Sequence, residues 1–200
     1  MKLFYSPSSP FVRKVLACAI ALEIDGQIEL VPTNAQASAP ALLAANPLSK
    51  VPALITEDGI GLFDSPVICE YLDALDGAMP LFPRGGGARW IALKLQALGD
   101  GMMDAAVARR GEMLRPSEAA RDAFMARQKA AVERALAALE ADVPHQGVDI
   151  GTIAIGCALG YLDFRYAFEP WRPAAPKLAA WFAAFGENPC MARTVARDAA

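Results

Sequence analysis

One histidine, His145, is all that the 200 residues contain of that type. Its scarcity weighs against a Ser-His-Asp hydrolase or a histidine-based metal site, and its surroundings, Pro144-His145-Gln146-Gly147, read as a loop. Cysteine is scarce too: Cys18, Cys69, Cys157 and Cys190 are scattered without a CxxC pair. That pattern fits buried, reduced thiols and neither a disulfide framework nor a zinc site, so no metal is expected. Positive charge is in deficit, with 19 basic against 22 acidic side chains and a net charge of −3. No basic footprint for nucleic acid exists. No apolar run reaches the length of a membrane span, and Met1-Lys2-Leu3-Phe4-Tyr5 opens as a strand, not as a charged leader and apolar stretch. The expectation is a cytoplasmic protein with no membrane contact. A glycine-rich phosphate loop is lacking as well: Gly85-Gly86-Gly87 follows Pro83-Arg84 instead of a strand and reads as linker.

What is abundant is core material, with 54% hydrophobic residues. The first eighty residues alternate strand and helix: Lys2 to Tyr5 a strand, Phe11 to Glu23 a helix, Ile28 to Val31 a strand, Ala37 to Ala45 a short helix. A hairpin follows, with Ala53 to Thr56 and Gly61 to Phe63 as its arms, then a helix from Pro66 to Leu75. Beyond that the pattern is helical only, over Ala88–Arg110, Ser117–Leu139, Thr152–Tyr161 and Lys177–Phe185. The fold class is therefore an α/β domain followed by an all-α bundle, with bounds of 1–78, a linker at 79–84, and 85–200. Charge divides at the same place: four basic and nine acidic side chains precede residue 79, fifteen and thirteen follow.

Two constellations carry chemistry. In Asn46 to Ser65, a cis bond at Val51–Pro52 would turn the N–H and C=O of Val51 outward, so that a peptide-like ligand could pair with it as a strand does. Asp64 and Ser65 stand where the return strand becomes a helix, with Ser65 as the cap and Pro66 in the first turn, a place that attracts carboxylates. In Ser6 to Lys14, Ser9 is an N-cap and Pro10 the first helical residue. A hydroxyl there faces the positive helix pole, where a ligand thiol ionises more readily. Serine cannot form a disulfide; it can only donate a hydrogen bond to sulfur.

These segments resemble those of bacterial glutathione S-transferases. SSPFVRK resembles the serine-type active-site loop, NPLSKVPAL the cis-proline loop and FDSPVICEYLD the acidic-Ser segment, and LGYLDFRY and PKLAAWFAAF extend the likeness through the helical half. The resemblance implies a thioredoxin-like first domain, glutathione as co-substrate and a homodimer. It implies that Ser9 stabilises the glutathione thiolate for attack on a small hydrophobic electrophile. Val51 would pair with the cysteinyl part, Lys50 with the glycyl carboxylate, and Asp64 and Ser65 with the γ-glutamyl end. Tyr166 is the residue implied near the electrophile, and Asn34 is either a glutathione contact or a turn residue. A non-catalytic glutathione-fold binding or regulatory protein, or a weak thiol transferase or peroxidase, stays open beside this reading.

The chain departs from the family twice. The second domain's core helix starts with Asp149 and Thr152 in place of Ser or Thr followed by Asp, which predicts a weaker reciprocal cap. The acidic position holds Asp64 where many relatives carry Glu, a shorter arm that calls for a bridging water. Arg109 and Arg110 end a long helix and read as solvated charges.

Overall fold

The computed structural model describes residues 1–76 and 80–198. The expected domain end at 78, the start of the linker at 79 and the last two positions of the second domain fall outside them. Four strands form one sheet in the order β2-β1-β3-β4: β1 (Lys2–Tyr5), β2 (Glu29–Pro32), β3 (Ala53–Ile55) and β4 (Gly61–Leu62). β1 runs parallel to β2 and antiparallel to β3, with Leu3 opposite Leu30 on one side and Leu54 on the other. Side chains alternate across a strand, and β1 shows the result. Leu3 packs with Val15, Cys18 and Ile68, whereas Phe4 packs with Leu42, Ala45 and Ala53. One face is thus covered by α1 (Pro10–Ala21) and α3 (Ser65–Asp76), and the other by α2 (Pro40–Ala45).

The helical half comprises α4 (Gly86–Glu112), α5 (Ala119–Ala141), α6 (Ile150–Arg165), α7 (Pro176–Phe185) and a short α8 (Pro189–Ala192) that the hydrophobic pattern does not reveal. Gly86 and Gly87 belong to the first turn of α4 and not to a linker, with Gly85 in the cap position. Helix α6 is buried nearly all round because it lies between α4 and the first domain's α1. Its approach to α4 depends on two glycines. A Cβ on Gly99 would lie 2.7 Å from the carbonyl carbon of Ala154, and one on Gly151 only 2.6 Å from the carbonyl oxygen of Ala92. One continuous apolar core consequently joins Leu3, Val15 and Ile68 of the sheet layer to Met103, Ile153 and Leu159 of the bundle.

The cap of α6 is stronger than its sequence predicts. Thr152 N–H donates to Asp149 Oδ1 at 2.9 Å, Asp149 N–H donates to Thr152 Oγ1 at 2.9 Å, and the threonine hydroxyl also reaches the Gly147 carbonyl at 2.9 Å. Exchanging the two residue types leaves a reciprocal box fully formed, because each side chain still has an oxygen at the right reach. His145 stands in the preceding loop, as expected. Its Nδ1 accepts from Gly147 N–H at 3.0 Å, so the proton resides on Nε2, 3.0 Å from Asp149 Oδ2. Among the described residues, no helix is long and apolar enough to cross a membrane.

Candidate active site

A cleft of about 790 Å³ opens where the β1–α1 loop, the segment after β2 and the loop before β3 meet α4 and α6. That size lies within the range of about 300–1,000 Å³ usual for small-molecule sites. Ser9, Lys50 and Val51, brought from different parts of the first domain, line it together with Asn34.

Ser9 occupies the N-cap of α1, and its Oγ accepts from Val12 N–H at 3.3 Å. Accepting that bond leaves the hydroxyl proton for another acceptor. Ser8 differs: its hydroxyl is shared with that of Ser6 at 3.2 Å. The Val51–Pro52 bond is cis. The loop carrying it is braced from below by Asn46, whose buried amide donates to the Lys50 carbonyl at 2.9 Å and accepts from Leu48 N–H at 3.0 Å. Ser49 ties the same loop to the opposite lip, donating to the Ala35 carbonyl at 2.9 Å. Asn34 accepts from Gln36 N–H at 3.0 Å, so it is a turn residue that also borders the cleft.

Asp64 and Ser65 do not line the open cleft. Helix α3 begins at Ser65, and the Asp64 carbonyl accepts from Ile68 N–H at 3.1 Å. Asp64 therefore holds the cap position assigned to Ser65 in the sequence, since the cap is the residue whose carbonyl takes the first intrahelical bond. Its carboxylate also accepts from the Ser65 N–H. Ser65 is fully buried, and its hydroxyl has no hydrogen-bond partner among the described residues. Such an orphan costs about 1–3 kcal/mol.

The second domain supplies the opposite wall with Asp104 and Val107 of α4 and Tyr161 of α6. Sequence reasoning missed all three. Asp104 and Val107 share a face at helical spacing, but nothing in the string says which face meets the first domain. Burial pushes the Asp104 carboxyl above its ordinary range, and the neighbouring Asp64 carboxylate pushes the same way. Lys50 and Lys14 act in the opposite sense, so Asp104 stands between carboxylate and ammonium neighbours. Close by, burial also raises Asp100, against the lowering influence of Lys14.

Tyr166 lies elsewhere. It is 3% exposed, its hydroxyl donates to the Ala106 carbonyl at 2.7 Å, and it borders a separate cavity of about 340 Å³ between α4, α5 and the end of α6. A hydroxyl committed to a buried backbone carbonyl is a packing group, so Tyr166 does not face the cleft, and Tyr161, five residues earlier, does. Arg109 is not a solvated charge either. It forms a two-pronged pair with Glu169 at 2.6 and 2.8 Å and lies 4.8 Å over the Tyr166 ring. The four cysteines are free and buried, and burial pushes the Cys157 thiol up to about 12, which keeps it protonated and inert.

Residues 8–75 match the family described as Glutathione S-transferase, N-terminal domain, and residues 119–184 match its C-terminal domain. The uncharacterized GST-like protein YibF of Escherichia coli K12 is 36% identical over 184 residues, covering 89% of this chain and 90% of that one. A glutathione transferase family member from Pseudomonas fluorescens Pf-5, solved with bound glutathione, is 40% identical with a TM-score of 0.91, covering 100% of this chain and 99% of that one. The structure of a Pf-5 family member with bound S-(propanoic acid)-glutathione gives 40% identity and a TM-score of 0.87, over 98% and 100% of the chains. With two domain matches and full-length likeness at this identity, the chain belongs to the glutathione S-transferase family.

Proposed function

We propose that this protein is a glutathione transferase that binds glutathione in the cleft and activates its thiolate for attack on a small electrophile. The observation that carries the reading is the meeting of Ser9, Lys50 and Val51 on one cleft at the N-terminus of α1. The serine proton that capping leaves unused is free for a thiolate, and the helix pole adds its field. Val51 offers its backbone to the cysteinyl part and Lys50 its ammonium to the glycyl carboxylate. Asp64 and Ser65 serve the γ-glutamyl end, a role supported by the Ser65 hydroxyl, which has no hydrogen-bond partner among the described residues, and by the nearby Asp64 carboxylate. A small rearrangement of the α3 start is what such contact requires, because Ser65 is closed to solvent. The glutathione and glutathione-conjugate complexes of the Pf-5 proteins support the choice of ligand.

The domains are taken as 1–78 for glutathione and 85–200 for the electrophile wall, with 79–84 between them. The protein works as a homodimer in the cytoplasm. Exposed Val67 on α3 and exposed Trp90 and Ile91 on α4 support the dimer, together with the acidic first and slightly basic second half. A reducing compartment suits four unpaired thiols.

The test is titration of thiolate absorbance in glutathione complexes of wild type, Ser9→Ala and Ser8→Ala. Loss of one hydrogen bond to charged sulfur, about 1.5 kcal/mol, should slow conjugation at neutral pH roughly tenfold in Ser9→Ala and raise the thiol pKa. Ser8→Ala should change little. A shift confined to Ser8→Ala would reverse the assignment, and binding of glutathione without turnover across an electrophile panel would favour a non-catalytic role.

A further inference from the structure

Arg13 follows Ser9 by one turn of α1, yet it borders not the cleft but a separate hollow of about 460 Å³ shared with Gly160, Met191 and Val195. It is buried and has no ion-pair partner among the described residues. A cation withdrawn from water in this way is costly unless oxygens take up its protons. Two such oxygens come from the far end of the chain. Nη2 donates to the Met191 carbonyl of α8 at 3.2 Å, and Nε donates to the Thr194 hydroxyl at 3.4 Å. Nη1 lies in the space beside α6 that a glycine leaves open, since a Cβ on Gly160 would stand 2.0 Å from it. The guanidinium thereby fixes where the chain leaves α8.

From there residues 193–198 run, without helix or strand, to the β1–α1 loop. Arg193 pairs with Asp25, and Asp198 pairs with Arg165 of α6 at 2.7 Å. Between these two ties the Arg197 N–H donates to the Pro7 carbonyl at 3.3 Å. That carbonyl is the one polar group a proline backbone has. Pro7 lines the cleft beside Ser8 and Ser9, and the Ser9 N–H donates to the Ser6 carbonyl at 3.1 Å, so residues 6–9 form a single turn. Resting on the glutathione reading above, we infer that residues 193–198 are a brace for the thiolate end of the cleft. Arg197 through its amide, and Arg13 through Met191 and Thr194, are positioning residues: they hold the turn that sets the Ser9 hydroxyl against the bound sulfur. Neither touches glutathione. Their effect passes through geometry, because a hydrogen bond weakens steeply as its angle and length depart from the best values.

The experiment uses Arg197→Pro, which removes the amide proton that reaches Pro7, Arg197→Ala, which keeps it, and deletion of residues 195–200. Glutathione affinity is measured by calorimetry and the pKa of the bound thiol by thiolate absorbance, each in the wild-type and the Ser9→Ala background. Arg197→Pro and the deletion should weaken glutathione binding about fivefold, which converts to about 1 kcal/mol, the worth of one neutral hydrogen bond. Both should also raise the thiol pKa, in the direction of Ser9→Ala and by less, whereas Arg197→Ala should follow wild type. Because the brace acts through the serine, the pKa effect should vanish once Ser9 is alanine; a merely structural loss would persist there. Affinity and thiol pKa unchanged in Arg197→Pro and the deletion, a shift that survives in full without Ser9, or failure of both variants to fold would overturn the inference and leave the glutathione reading standing. Failure of wild type to bind glutathione would bring down both.

Discussion

Replacing Lys14 by methionine should be among the most destabilising single changes available in this protein. Lys14 is fully buried on α1, and its Nζ lies 2.5 Å from Asp100 Oδ1 on α4, whose side chain retains 18% exposure. The pair bridges the two domains beneath the cleft. Methionine fills much of the lysine stem's volume, so the loss is chiefly electrostatic: a carboxylate whose pKa burial already raises is left without its cation. Breaking such a buried pair costs about 3–5 kcal/mol, and the remaining exposure of Asp100 argues for the lower end, ~3 kcal/mol. For a chain of this size that is a fall in melting temperature of about 6–12 °C. The sign of the pH dependence follows from the raised value. Without Lys14, Asp100 has a folded-state pKa still further above its unfolded value, near ~3.9. Its contribution is then most favourable below that value and is lost as pH rises through the folded pKa. The gap between wild type and Lys14→Met should accordingly be widest at neutral pH and close as pH falls through the carboxylate range. Urea unfolding at several pH values measures it, with Lys14→Met/Asp100→Leu expected to recover most of the loss. A neutral-pH difference below ~1 kcal/mol, or one that does not change with pH, would refute the reasoning.

Tyr166→Phe removes a hydroxyl that donates to the Ala106 carbonyl and should cost ~1 kcal/mol of stability while leaving glutathione affinity and conjugation rate within about twofold. A tenfold loss of activity in a folded Tyr166→Phe protein would return that residue to the site. Sedimentation at micromolar concentration should give a dimer, and Trp90→Glu, which puts a charge on the exposed apolar face of α4, should shift it to monomer; a wild-type monomer would count decisively against the assembly.

The sequence disclosed what depends on local rules. Pro10 after Ser9 determines where α1 starts, and the short apolar runs at Lys2 to Tyr5 and Ala53–Ile55, bounded by turn residues, foretell strands, because turn chemistry and short apolar runs act over a few residues. What it concealed depends on which helix face meets which neighbour. Helices α4 and α5 are rich in alanine, with weak contrast between their faces, so nothing in the string tells that Val107 and Asp104 reach the cleft or that Arg109 turns inward toward Glu169. Tyr161 and Tyr166 illustrate the same limit: one lies inside α6 and the other just past its end, and only packing decides which borders the site. The cap of α3 differs from the sequence expectation by a single position, since both Asp64 and Ser65 are competent caps and only the carbonyl geometry tells them apart.

The apolar core that runs without a break from Leu3 and Val15 through Ile153 and Leu159 has a consequence for how the molecule can move. Sub-global opening requires a seam where few buried contacts are severed, and here the seam between sheet layer and bundle is itself core. Helix α1, which presents Ser9, packs against α3, α6 and α8 at once, so its interior amides should be among the slowest in the chain to exchange with solvent. Any yielding is left to the cleft's outer lip, where the exposed segment around Gln36 and the loop carrying Lys50 are tied to each other by Ser49 and the latter is braced from below by Asn46. A ligand therefore meets a hydroxyl that does not wander and a rim that yields.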